Sequence, residues 1–265
     1  MKGLMQRSRY RLDEWLRRRR LPNFAADDDH TPFPAPEMAL HEPNGLLATG
    51  GSLSPRRLEF AYRNGIFPYS PNGDMLRWWS PDPRAVLFPE RIRISTTLRR
   101  RIRQAHYTVT FDRAFDQVIH HCAAPRRTSS STWIDQAVIQ AYRRMYAIGR
   151  AHSMEVWRGD ELVGGCYGVA YGGAFFGESM FSHASDASKV ALVYQARQLE
   201  RWGFQLIDCQ FPTPHLESLG AEALPRERFL TRLREALLQP DKPAPWRFDD
   251  DFDPLQASPQ HRASA

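Results

Sequence analysis

The chain has 265 residues, 42% hydrophobic and 25% charged, the usual mix of a folded soluble protein with one large or two small domains. Its 36 Lys and Arg against 30 Asp and Glu give a pI of about 9.5 and favour an anionic partner such as nucleic acid. Cys122, Cys166 and Cys209 are widely spaced and show no metal-ligand spacing, which argues against a disulfide framework or zinc site and fits a reducing cytoplasm.

Residues 1–31 form a basic stretch followed by an acidic one and read as a loosely attached extension. The start has no apolar signal core, and no run of about 18 apolar residues occurs anywhere, so neither a signal peptide nor a membrane span is expected. A small N-terminal domain is expected over residues 32–84. Its clearest element is SPRRLEFAYRNG, with Ser54 as N-cap, Pro55 in the first turn and Gly65 as the stop. The Pro-rich SPDPR at 80–84 reads as a linker or rigid turn.

A larger domain is expected over residues 85–238. Asp112 is placed to cap a helix that buries Phe115, Val118, Ile119 and Cys122. Thr132 with Asp135 resembles a capping box, opening a helix with Ile134, Val138, Tyr142 and Met145 on one stripe and Gly149 as its end. The run HSMEVWRGDELVGGCYGVAYGGAFFGESMFS has β-rich segments broken by Gly-Asp and Gly-Gly and predicts a three-stranded meander. A helix over about Asp186 to Trp202, the strand GFQLIDCQFP and a helix over PRERFLTRLREALL follow. Residues 239–265 are rich in Pro and Asp, which predicts a tail disordered beyond residue 250 or so. The fold class is α+β: a mixed sheet with packed helices, of an N-acetyltransferase-like order.

Phe204, Leu206, Asp208 and Gln210 share one face if the last strand is regular. A carboxylate beside Phe and Leu needs a partner or the edge of the fold. No GxSxG, phosphate loop, GxGxxG or coenzyme A pyrophosphate loop is present. The segment 91–103 carries six arginines, and Leu98 and Ile102 pack inward while Arg99 and Arg103 lie a turn apart outside. That is either a phosphate-binding surface or a solvated helix face.

The segments FPAPEMAL, GLLATGGSLS, AYRNGIFPYS, RWWSPDPRAVLFP, TWID, AHSMEVW, LVGGCYGV, FFGESMFS, DASK, LIDCQ and HLESLGA follow one another in order. This set resembles the leucyl/phenylalanyl-tRNA–protein transferase family over residues 32–237. The resemblance implies a small N-terminal domain before an acetyltransferase-like (GNAT-like) one. It implies transfer of Leu or Phe, with Met as a further candidate, from aminoacyl-tRNA to proteins with N-terminal Arg or Lys. Such transfer marks them for N-degron-dependent degradation. No metal or coenzyme is implied, and a cytoplasmic monomer is expected.

By the same resemblance Asp208 and Gln210 are the catalytic pair, with Gln210 either a positioning group held by Asp208 or a base polarised by it. Glu178 is placed for the cationic acceptor, or else makes a structural hydrogen bond. Trp133 and Tyr69 are assigned to the 3′ end of the tRNA, Trp133 being otherwise a plain core aromatic at a helix start. Met180, Ile207 and Cys166 are assigned to the aminoacyl side-chain pocket, Met180 and Ile207 being otherwise ordinary core, and Arg99, Arg100, Arg101 and Arg103 to the tRNA backbone. Tyr69 stands where the family has Trp, Ser52 where it has an acid, and Cys166 where Met or Leu is common. The alternatives are a coenzyme A-dependent N-acetyltransferase and a non-catalytic RNA-binding module.

Overall fold

The computed structural model describes residues 21–70, 75–125 and 132–256. In chain order the strands are β1 (Asn23–Phe24), β2 (Leu46–Gly50), β3 (Phe67–Pro68), β4 (Arg77–Trp79), β5 (Arg84–Leu87), β6 (Thr108–Phe111), β7 (Ala151–Arg158), β8 (Glu161–Tyr171), β9 (Ala174–Ser182), β10 (Leu206–Gln210) and β11 (Glu222–Leu224). The helices are α1 (Pro55–Arg63), α2 (Thr96–Arg103), α3 (Phe115–Ala123), α4 (Gln136–Ala147), α5 (Ala187–Arg201), α6 (Pro214–Ser218) and α7 (Arg226–Ala236). This is the α+β class expected.

A small sheet in the order β1-β2-β4-β3 forms the N-terminal unit and takes in residues 23–24, upstream of the expected boundary at 32. The large sheet runs β11-β5-β10-β9-β8-β7-β6. Every pairing in it is antiparallel except β9 with β10. The predicted meander is β7-β8-β9. The β9–β10 ladder stops after Asp208↔Phe176, so the two strands fork beyond that point.

Two hydrophobic cores flank the large sheet. One gathers Tyr62, Phe67, Trp78, Val118, Tyr142, Tyr167, Phe176 and Phe229. The other gathers Leu87, Met154, Phe175, Val190, Leu199, Ile207 and Trp246. The stripes predicted for α3 and α4 are buried. Ser54 caps α1 by accepting from the Arg57 N–H.

Three local expectations are corrected. Asp135, not Thr132, caps α4, because its carboxylate reaches the Val138 N–H. Thr132 Oγ1 instead takes the Ile134 N–H. Asp112 caps no helix. It stands at φ 53° and accepts from the Ser153 N–H, His152 Nδ1 and the Trp246 N–H.

Residues 239–256 of the tail expected to be disordered are described and pack on the fold. Trp246 is 1% exposed and lies flat on His152, with centroids 3.6 Å apart. Phe248 packs on Phe111, and Asp249 accepts from Gln198, Arg201 and Trp202. Beyond residue 250, Phe252 packs on Tyr194 and Phe248 and Asp251 pairs with Arg201, so composition alone misreads residues 251–256, where these anchors outweigh the Pro and Asp content. Residues 1–20 and 257–265 lie outside the described residues.

Candidate active site

The fork between β9 and β10 holds a cavity of about 780 Å3. Its lining includes Gly177–Met180 from β9 and Ile207, Cys209, Gln210 and Phe211 from β10 and beyond. Two β-bulges set the key side chains. On β9, Tyr167↔Ser179 is followed by Gly168↔Gly177, so Glu178 is the extra residue. On β10, Asp208↔Val86 is followed by Gln210↔Ala85, so Cys209 is extra and Gln210 takes φ 64°. A bulge breaks strict alternation and re-aims the side chains beside it. The single face expected for Phe204, Leu206, Asp208 and Gln210 therefore ends at Asp208.

Glu178 is the hub of the polar end. Its Oε1 accepts from the Tyr62 hydroxyl at 2.7 Å and from Gln210 Nε2 at 3.2 Å. Its Oε2 meets the Tyr142 hydroxyl at 2.6 Å, and the two phenols touch at 2.5 Å. Three short oxygen–oxygen contacts need three protons, and two phenols supply two. A protonated Glu178 supplies the third. Burial likewise pushes its carboxyl up to about 7, against the phenol hydrogen bonds that pull it down. Burial also raises Tyr62 and Tyr142 well above the ordinary phenol range, so both stay neutral.

Asp208 lies beneath the cavity and does not line it. Its carboxylate takes Arg84 Nε at 2.7 Å and Arg84 Nη2 at 2.6 Å, with both side chains fully buried. The same Oδ1 accepts the Gln210 backbone N–H at 2.9 Å. Arg84 also donates to the Gly65 carbonyl and lies over the Phe67 and Phe229 rings. The expectation that Asp208 holds the Gln210 amide is thus corrected: Glu178 holds the amide, and Asp208 holds the backbone. Such bidentate pairing is what makes a buried carboxylate tolerable.

The cavity brings together Tyr69, Trp133, Cys166, Glu178, Met180, Ile207 and Gln210. Tyr69 meets Trp133 edge to face at 5.7 Å and Phe211 at 5.9 Å. Cys166, Met180 and Ile207 form an apolar compartment with Phe175, Leu192 and Leu216. Burial raises the Cys166 thiol and pushes the Cys209 thiol up to about 12, so neither is a thiolate nucleophile.

The arginines stand apart. None of Arg99, Arg100, Arg101 and Arg103 lines this cavity. Arg99 and Arg103 line a separate cleft of about 450 Å3 with Tyr194 and residues 253–256, and Arg101 faces Asp186 at 3.7 Å.

Sequence reasoning missed Arg84, the hydrogen-bonding role of Tyr62 and Tyr142, and His215. The signal for Arg84 was present: a charge heading the apolar run AVLF needs a buried counter-charge, as does the Asp within LIDC.

Comparison with known proteins places the chain in a family. The family model "Leucyl/phenylalanyl-tRNA protein transferase" matches residues 86–234, and the model of its N-terminal domain matches residues 51–82. A leucyl/phenylalanyl-tRNA–protein transferase of Alkalilimnicola ehrlichii is 51% identical over 239 residues, covering 89% of this chain and 93% of that protein. One of Nitrosomonas europaea is 54% identical over 219 residues, covering 83% and 93%. A solved GCN5-related N-acetyltransferase from Kribbella flavida aligns at TM-score 0.34 and 12% identity, over 64% of this chain and 61% of that one, a distant likeness. On the matched models and these relatives, the chain belongs to the leucyl/phenylalanyl-tRNA protein transferase family.

Proposed function

We propose that this chain transfers Leu or Phe from aminoacyl-tRNA to the α-amine of proteins that begin with Arg or Lys, marking them for degradation. It does so as a cytoplasmic monomer. The observation that carries the reading is the Glu178–Gln210 pair at the polar end of a cavity whose other end is apolar. The apolar compartment suits a Leu or Phe side chain. Trp133 and Tyr69 suit the terminal adenosine, where aromatic stacking contributes about 1–3 kcal/mol per base.

The reaction forms one C–N bond and breaks one C–O bond. The acceptor amine attacks the ester carbonyl, the 3′ oxygen of the tRNA departs, and the proton lost by nitrogen ends on that oxygen. An α-amine has a pKa of about 7.7–8.0, so a useful share is already neutral near pH 7. Freeing it costs about 1–1.5 kcal/mol, whereas positioning supplies roughly 7–11 kcal/mol. A carboxamide is a very weak base, so Gln210 acts by position.

Donation from Gln210 Nε2 to Glu178 leaves the amide carbonyl oxygen to accept from the incoming amine. Asp208 is a positioning residue: through the Gln210 N–H it fixes the backbone that aims the amide. Glu178 answers the cation. An Arg or Lys side chain beside it favours the ionised carboxylate and releases its proton. The arginines of α2 carry the tRNA backbone outside the cavity.

The test mixes charged leucyl-tRNA with peptides beginning in Arg, Lys or Glu and weighs the products. Arg and Lys peptides gain one leucyl residue and the Glu peptide gains none. Transfer blind to the first residue, or favouring Glu, refutes the acceptor assignment, and acetyl transfer from coenzyme A without leucyl transfer refutes the reaction.

A further inference from the structure

Two cavity residues, Tyr167 and His215, carry a buried polar atom with no hydrogen-bond partner among the described residues. His215 stands on α6, which opens where Thr213 Oγ1 accepts the Leu216 N–H. The Nε2 of His215 is buried and has no hydrogen-bond partner among the described residues, yet the side chain lines the cavity that holds Glu178 and Gln210. A buried polar atom left unpaired is costly, and in a substrate cavity the natural partner is the substrate.

Three parts of the aminoacyl group enter that cavity. The side chain is apolar and takes the compartment of Cys166, Met180, Leu192 and Ile207. The ester carbonyl lies at Gln210, where attack occurs. The remaining polar group is the α-amino group of the Leu or Phe being transferred, which keeps its hydrogens throughout. Resting on the function proposed above, we infer that His215 Nε2 accepts a hydrogen bond from this α-amino group, so that the cavity tells an amino acid ester from one lacking the amine.

An acceptor role needs a neutral imidazole with a free lone pair. Burial, and then the Lys189 ammonium, hold His215 below the ordinary histidine range, which keeps it neutral near pH 7. Lys189 lies at the start of α5, with its ammonium 3.4 Å from Asp186 Oδ1.

The test compares two acyl groups on the same tRNA: phenylalanyl, and 3-phenylpropionyl, in which hydrogen replaces the amine. Transfer to an Arg-initiated peptide is read as kcat/KM. The wild type prefers phenylalanyl by about tenfold, the worth of one hydrogen bond. His215→Ala removes most of that preference. His215→Gln, which keeps an acceptor, restores part of it and separates loss of the bond from loss of the fold. Equal losses on both acyl groups in both variants make His215 structural and overturn the inference. So does an unchanged amine preference accompanied by a new ranking of Leu against Phe, which places His215 on the side-chain compartment. If the wild type transfers neither acyl group, the function itself fails and the inference falls with it.

Discussion

Replacing Asp208 by Asn tests how the site is held. Arg84 and Asp208 are both fully buried and share two hydrogen bonds of 2.7 and 2.6 Å. Asn keeps one oxygen for Arg84 Nε and the Gln210 N–H but turns an NH2 group against Arg84 Nη2. The guanidinium is left without a counter-charge in a dry interior. Removing one partner of such a pair costs about 3–5 kcal/mol. Removing both charges is different, because a buried pair replaced by apolar groups of similar volume is often close to neutral. Arg84→Met with Asp208→Leu should therefore lie within about 2 kcal/mol of wild type, allowing for the lost bonds to Gly65 and Gln210. The assay is urea unfolding of Asp208→Asn and of the wild type, Arg84→Met, Asp208→Leu and the double variant, the last four closed as a cycle. Single-turnover transfer on the same four proteins supplies the second reading. The double variant should recover stability but not rate, because the Gln210 N–H has lost the acceptor that holds its left-handed backbone. Asp208→Asn within about 1 kcal/mol of wild type refutes the energetic argument. Full activity in the double variant refutes the positioning role.

Further outcomes follow from the same geometry. Glu178 titrates near 7 in the fold against 4.5 in the free chain, so between those values the native state holds the extra proton and stability falls as pH rises. The fall reaches about 3 kcal/mol by pH 8, and Glu178→Gln should abolish it; equal unfolding curves for wild type at pH 5 and 8 contradict this. Gln210→Glu sets a second carboxylate against Glu178, 3.2 Å away in the wild type, so transfer should stay low from pH 6 to 8.5. A variant as fast as wild type makes residue 210 a base. Arg99→Ala with Arg103→Ala should weaken many tRNAs alike and flatten the salt slope of log affinity by about 1.4–1.8, and an unchanged slope moves the tRNA path off α2.

Periodicity sufficed for what is local. The stripes of α3 and α4, the meander and the Ser54 cap depend on neighbours within a turn or a hairpin, and each could be read from the residues. The resemblance gave Glu178, Asp208 and Gln210 as positions, but not their partners. Asp208 meets Arg84 across 124 residues, and Glu178 meets Tyr62 across 116, distances that no periodic pattern encodes. Bulges were equally hidden. An extra Cys209 reassigns Gln210 from Asp208 to Glu178, and nothing in LIDCQ marks it. Tyr142 was read correctly as buried, while its hydroxyl, the part that matters to Glu178, leaves no trace in hydrophobic spacing. The aromatic tail failed for a different reason: average composition says little about a segment held by a few aromatic and ionic anchors.

The position of β5 in the large sheet bears on how the chain is born. Its two neighbours, β10 and β11, are both encoded far downstream, from residue 206 onwards. At about 5–20 residues per second on the ribosome, β5 waits roughly 6–24 seconds with both edges open. Throughout that interval its Val86 and Leu87 lack cover and Arg84 lacks its carboxylate, the profile of a strand that invites wrong pairing. The Arg84–Asp208 pair, whose carboxylate also holds the Gln210 backbone, is therefore among the last contacts to be made, and a ribosome stalled short of β10 carries a nascent chain that cannot bury its own charge.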